Sequence, residues 1–140
     1  MKNKMELRFL ASAENESFAR MVISSFLMPI DPKLSDIAEI RTAVSEAVTN
    51  AVVHAYKEET SRREIVLRAL LDDNRIEVEI EDFGCGIADL QQAMTPFYTS
   101  QPDQERSGMG FSLMQSFMDG VSVQTLPDKG TCVRMMKLLK

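Results

Sequence analysis

The chain is poor in the residues that most metal and redox sites require. Its 140 residues include one histidine, two cysteines and no tryptophan. A lone His54 excludes a histidine-rich zinc centre, because zinc sites gather several nitrogen, sulfur or carboxylate ligands. Cys85 and Cys132 have neither metal-ligand spacing nor a disulfide framework, and they are expected in or near the core. No apolar run approaches the roughly 18 residues of a membrane span, and no secretory leader is recognisable. A cytoplasmic protein without membrane contact is expected. Positive charge is also short: 16 Lys and Arg stand against 21 Asp and Glu, a net charge of −5. That balance argues against direct nucleic-acid binding through a basic face. The glycines form neither a Gly-x-x-x-x-Gly-Lys-Ser/Thr loop nor a Gly-x-Gly-x-x-Gly turn, which excludes P-loop and dinucleotide-binding architectures. A Gly-x-Ser-x-Gly elbow is missing too, so a serine hydrolase of that type is disfavoured.

What is present begins with a stripe. Over 45–56 the chain reads Ser-Glu-Ala-Val-Thr-Asn-Ala-Val-Val-His-Ala-Tyr, and Glu46, Asn50 and His54 recur every four residues. On a helix they share one face, set among Ala and Val that belong in a core. A carboxylate and an amide one turn apart on an apolar helix need partners, since burying them unpaired is costly. A hydrated cation bound to phosphate would satisfy both.

The rest of the chain alternates between two periods. Met5, Leu7 and Phe9 suggest a first strand. Asn15 is placed to cap a helix running to about Leu27, with Phe18, Met21, Val22 and Phe26 on its inner face. Pro29 and Pro32 interrupt the chain, and Ser35 or Asp36 can cap a longer helix with an apolar stripe of Ile37, Ile40, Val44, Ala47, Val48 and Ala51. Residues 63–71 and 75–82 read as a hairpin about Asp72-Asp73-Asn74, with Ile76, Val78 and Ile80 inward and Glu77, Glu79 and Glu81 on a solvated face. Residues 83–107 lose periodicity, apart from a short helix expected near 90–94. A connection of that length is usually functional. A third helix is expected over 111–118, closed by Gly120 in a left-handed cap, before a final hairpin over 121–138. This order predicts an α+β fold: a two-layer α/β sandwich with helices on one face of a mixed, mostly antiparallel sheet, in one domain spanning 1–140.

Two glycine-bearing segments carry chemistry. Asp82-Phe83-Gly84-Cys85-Gly86 ends the cleanest strand. The strand end fixes the carboxylate, which can accept a hydrogen bond from an amino group such as that of adenine. The glycines admit close approach of a ligand to backbone. Ser107-Gly108-Met109-Gly110 opens the third helix, where free N–H groups and the helix dipole suit phosphate. Either segment alone also reads as an ordinary turn or hinge.

Together these segments resemble the ATP-binding domain shared by sensor histidine kinases, DNA gyrase B, Hsp90 and MutL, known as the Bergerat-type fold. Glu46-x-x-x-Asn50 resembles the N box, Asp82-x-Gly84-x-Gly86 the first glycine box, Pro96-Phe97-Tyr98 the lid phenylalanine segment, Ser107-Gly108-Met109-Gly110 the second glycine box, and Gly130-Thr131 the late Gly-Thr pair. Five motifs in this order span nearly the whole chain. Within the superfamily the 45–56 string is most similar to bacterial anti-sigma factor serine kinases of the sporulation type.

The resemblance implies ATP and Mg²⁺ as cofactors. Asn50 would hold the metal and Asp82 would read the adenine amino group, with Thr131 supporting adenine binding. Gly84, Gly86 and Ile87 would shape the pocket floor, while Gly108, Met109 and Gly110 offer backbone to the phosphates. Residues 95–107 would form an ATP lid bringing Thr99 and Arg106 toward the phosphates. Where sensor kinases carry Asn or Asp four residues before the metal asparagine, this chain has Glu46, a base for a serine hydroxyl. No phosphoacceptor-histidine hairpin and no transducer domain is recognisable, so a catalytic domain alone is expected. The implied partners are a sigma factor of RNA polymerase, an anti-anti-sigma factor phosphorylated on serine, and a second copy in a homodimer. A nucleotide-regulated module that only sequesters a sigma factor, and an ATPase fragment of a larger machine, stand as alternatives.

Overall fold

A computed structural model of the chain describes residues 2–56, 63–87 and 110–139. The chain runs through β1 (Lys2–Leu10), α1 (Glu14–Leu27), a 3₁₀ turn at Met28–Ile30, α2 (Leu34–Asn50), a π-helical turn at Ala51–Ala55, β2 (Glu64–Asp72), β3 (Arg75–Asp82), α3 (Gly110–Phe117), β4 (Gly120–Leu126) and β5 (Gly130–Leu138). The lid at 95–107, the short helix near 90–94, and Thr99, Arg106, Gly108 and Met109 lie outside the described residues.

The strands form one five-stranded sheet in the order β1-β2-β3-β5-β4. All four pairings are antiparallel, so no parallel pair of the expected mixed sheet occurs among the described residues. The period-two patterns explain the layering. Ile76, Val78 and Ile80 are buried while Glu77, Glu79 and Glu81 stay half-exposed on the other face. There Arg68 pairs with Glu81 at 2.7 Å, and Arg134 with Glu79 at 2.6 Å. These ladders keep the uncovered face polar, although partly exposed pairs add little stability.

The helices cover the opposite face, with α2 packed against both α1 and α3. Ile40, Ala43, Val44, Ala47 and Val48 of α2 are buried, as its stripe predicts. The face of α1 differs from expectation. Ala19, Ile23 and Leu27 are buried together with Glu16, whereas Phe18 and Met21 are exposed. The Ser45 hydroxyl of α2 donates to the Glu16 carboxylate, which gives the buried charge a partner. The caps differ as well. Asn15 lies inside α1 and its amide donates to the Leu10 carbonyl at 2.9 Å. The helix α2 opens after Lys33 rather than at Ser35 or Asp36, with no side-chain cap bond. Gly120 starts β4 and does not take a left-handed conformation.

Candidate functional site

Asp82 ends β3, the central strand, with Ile65 opposite it on β2 and Thr131 on β5. It is 7% exposed. Its Oδ1 accepts from the Gly84 N–H at 3.0 Å and from the Thr131 N–H at 3.2 Å. Both bonds fall on one oxygen, which leaves Oδ2 for a further donor. Burial pushes this carboxyl from the ordinary 3.8 up to about 6, against the opposing pull of the two backbone bonds. The folded state therefore holds the proton more tightly than the unfolded chain. Stability from this group is fully present below about pH 4 and is lost as the pH rises toward 6. Denaturation midpoints are expected to carry a loss of roughly 3 kcal/mol across that window. Asp82→Asn is expected to remove this component of the slope, as urea titrations at pH 4 and pH 7 will show.

The glycines after Asp82 are set by close contacts. A methyl group on Gly84 would overlap the Ala55 carbonyl oxygen, and the next residue, Cys85, donates its N–H to that same oxygen at 2.9 Å. Gly86 has φ +75°, and a side chain there would run into the Leu126 carbonyl. The loop is thus clamped between the end of the α2 segment and the β4–β5 hairpin. A further bond from the Asp128 N–H to the Cys85 carbonyl, at 2.8 Å, ties it to that hairpin.

The π turn makes the first of these clamps. Bonds from i to i+5 widen the turn, which here holds Ala51–Ala55 directly after Asn50. Glu46 and Asn50 of the expected stripe thus lie in α2, and His54 lies in the wider turn that follows. Glu46 and Asn50 are half-buried one turn apart near the end of α2. His54 offers its backbone carbonyl to the Cys85 thiol at 3.4 Å. Next to it, the buried Tyr56 hydroxyl donates to the Glu64 carbonyl at 2.6 Å and accepts from the Phe83 N–H at 2.8 Å, fixing the backbone between Asp82 and Gly84.

A chain of hydroxyls closes the other side. Thr131 Oγ1 lies 3.0 Å from Thr125 Oγ1, and Thr125 Oγ1 accepts from the Ile87 N–H at 2.8 Å. The structure thus brings Asp82, Gly84, Gly86, Ile87 and Thr131 together, and places Gly110 at the first position of α3. Ala55, Tyr56 and Thr125 complete this arrangement without having been singled out in the sequence. Only Thr125 left a signal, as the register partner of Thr131 in the final hairpin.

Residues 9–137 match the family described as Histidine kinase-like ATPase domain. The chain belongs to that family. Within this ATPase family it is 49% identical over 137 residues to the Anti-sigma F factor of Caldanaerobacter subterraneus subsp. tengcongensis, covering 98% of this chain and 94% of the relative. Against the Anti-sigma F factor of Bacillus subtilis it is 46% identical over 139 residues, covering 99% and 94%. Among solved structures, the RsbU and RsbW domains of a Mycobacterium tuberculosis protein superpose with a TM-score of 0.71 at 21% identity, covering 98% of this ATPase domain and 32% of that chain. That likeness shows a shared fold. No described helix of the domain is long and apolar enough to cross a membrane.

Proposed function

We propose that the protein is a cytoplasmic anti-sigma factor that binds and inhibits a sporulation sigma factor, and that it uses ATP to phosphorylate a serine of an anti-anti-sigma factor. The observation that carries the nucleotide half of this reading is the Asp82 carboxylate. It is buried at a central strand end, with Oδ1 doubly bonded to backbone and Oδ2 left over. A fixed, buried acceptor selects a base that presents an amino group. The relatives' shared name, Anti-sigma F factor, supports the sigma-binding half.

The site suits Mg²⁺ that arrives with phosphates. Among the described residues no group of three His, Cys, Asp or Glu forms a protein-only metal site. A single carboxamide oxygen on Asn50 matches the hard, partly hydrated, phosphate-assisted coordination of Mg²⁺. When bound, Mg²⁺ neutralises charge on the triphosphate and on the transferring group.

The chain's own residues do the rest. Asp82 accepts from the adenine amino group, Thr131 supports the base, and Gly84, Gly86 and Ile87 floor the pocket. Backbone N–H groups of Gly108, Met109 and Gly110 bind phosphate oxygens. The 95–107 lid brings Thr99 and Arg106 over them. Glu46 takes the proton of the partner's serine as that oxygen bonds to the γ-phosphorus and the bond to the β-phosphate oxygen breaks, with ADP leaving. The 1–140 chain acts as one domain and pairs as a homodimer.

Incubation with γ-labelled ATP, a purified sporulation sigma factor and its anti-anti-sigma protein tests this reading. Label on a serine of the anti-anti-sigma protein, together with nucleotide-dependent retention of the sigma factor, is expected. Retention without transfer would leave a pure sequestering module, and ATP turnover with neither would sink the proposal.

A further inference from the structure

We propose that Thr125 is the residue that aims the Thr131 hydroxyl at the nucleobase, which makes it a positioning residue for adenine selectivity. The inference rests on the nucleotide-binding reading above and adds a residue to it.

A threonine hydroxyl has one hydrogen and two lone pairs. One lone pair of Thr125 is already taken by the Ile87 N–H at 2.8 Å. Its remaining contacts are Thr131 Oγ1 at 3.0 Å and the Gly130 carbonyl at 3.4 Å. Thr125 therefore ties three segments at one atom: the pocket floor at Ile87, its own strand β4, and β5 through Thr131. Thr131 is itself buried, and its N–H is fixed on the Asp82 oxygen beside the one left for the base. Asp82 and Thr131 are cross-strand partners, as are Thr131 and Thr125. The row Asp82, Thr131, Thr125 thus runs across three neighbouring strands.

That row matches the edge of adenine. Its amino group donates and the adjacent ring nitrogen N1 accepts, so a base held on Asp82 needs a donor beside that carboxylate. Thr131 supplies the hydroxyl, and Thr125 holds its rotamer. Threonine otherwise chooses between χ1 wells. The one Thr125 hydrogen can go to the Gly130 carbonyl at 3.4 Å or to Thr131 Oγ1 at 3.0 Å; on the shorter contact Thr125 donates, and the Thr131 hydrogen is left to point outward. Valine at 125 keeps the shape of the side chain and removes its polar atom. The Ile87 N–H then has no acceptor there, and the Thr131 hydroxyl loses its fixed neighbour.

The test compares ATP with 1-deaza-ATP, which keeps the amino group and lacks N1. Dissociation constants are measured by calorimetry for the wild-type, Thr125→Val and Thr125→Ser proteins. Wild type and Thr125→Ser are expected to prefer ATP by about tenfold, the worth of one hydrogen bond. Thr125→Val is expected to bind ATP about tenfold more weakly and the analogue unchanged, so that the preference disappears. Equal losses on both nucleotides, or an unchanged preference in Thr125→Val, would overturn the inference. A wild-type protein that binds neither nucleotide would overturn the parent reading, and this one with it.

Discussion

Glu46→Gln is expected to bind ATP as the wild type does and to phosphorylate an anti-anti-sigma serine roughly 10²- to 10⁴-fold more slowly, the usual contribution of a positioned general base. Glutamine keeps the length and hydrogen-bonding shape of glutamate but cannot take a proton. Glu46 stands one turn before Asn50 on the same face of α2, half-buried at the edge of the core. In the proposed reading α2 carries this base, and the groups that would read the nucleobase sit on the sheet. The two functions are therefore separable. Single-turnover transfer and equilibrium ATP binding, measured on the same preparation, check the separation. Transfer at the wild-type rate would remove Glu46 from the mechanism. Loss of ATP binding would assign it to binding instead.

The second large effect is expected at Gly84. In Gly84→Ala the added methyl would meet the Ala55 carbonyl oxygen and carbon, which are backbone and cannot rotate aside. Retreat of that carbonyl would also stretch the bond from the Cys85 N–H. Overpacking of this kind costs about 3 kcal/mol when backbone must shift. A domain of this size should then melt roughly 10 °C lower. The displaced loop also carries the N–H that holds Asp82, so ATP binding is expected to fall with stability. Calorimetric melting with and without ATP tests both halves. A variant with unchanged melting would show that the Gly84–Ala55 approach is not needed.

Much of the fold was legible because one face of each strand is wet and the other dry. The alternation in β3 marks its buried residues directly, and the α2 stripe does the same at the helical period. The inner face of α1 was not legible in this way. Large apolar residues suggested Phe18 and Met21, but the helix turns small Ala19 and charged Glu16 toward α2. The partner that makes this tolerable, Ser45, lies 29 residues away in sequence. The caps failed for a related reason: Asn15 finds the Leu10 carbonyl instead of a helix N–H.

At the candidate site, the Asp82 string was legible and the groups that hold it in place were not. Asp82 and the two glycines form a recognisable string. Ala55 contributes only a carbonyl, and any residue type can supply one. Thr125 became interpretable only through its register opposite Thr131. The π turn left no mark, because it is made by residues that would also serve in an α-helix.

That turn turns the distance between Asn50 and the Asp82 loop into a matter of counting residues. The chain reaches the Cys85 N–H by fitting Ala51–Ala55 into the wider turn. Loss of any one residue there would return the segment to the α repeat and bring a different carbonyl to the loop. Substitutions at Val52 or Val53 alter packing alone, whereas an in-frame deletion of either codon would shift the phasing of helix against sheet. The segment should therefore accept changes of spelling far more readily than changes of length.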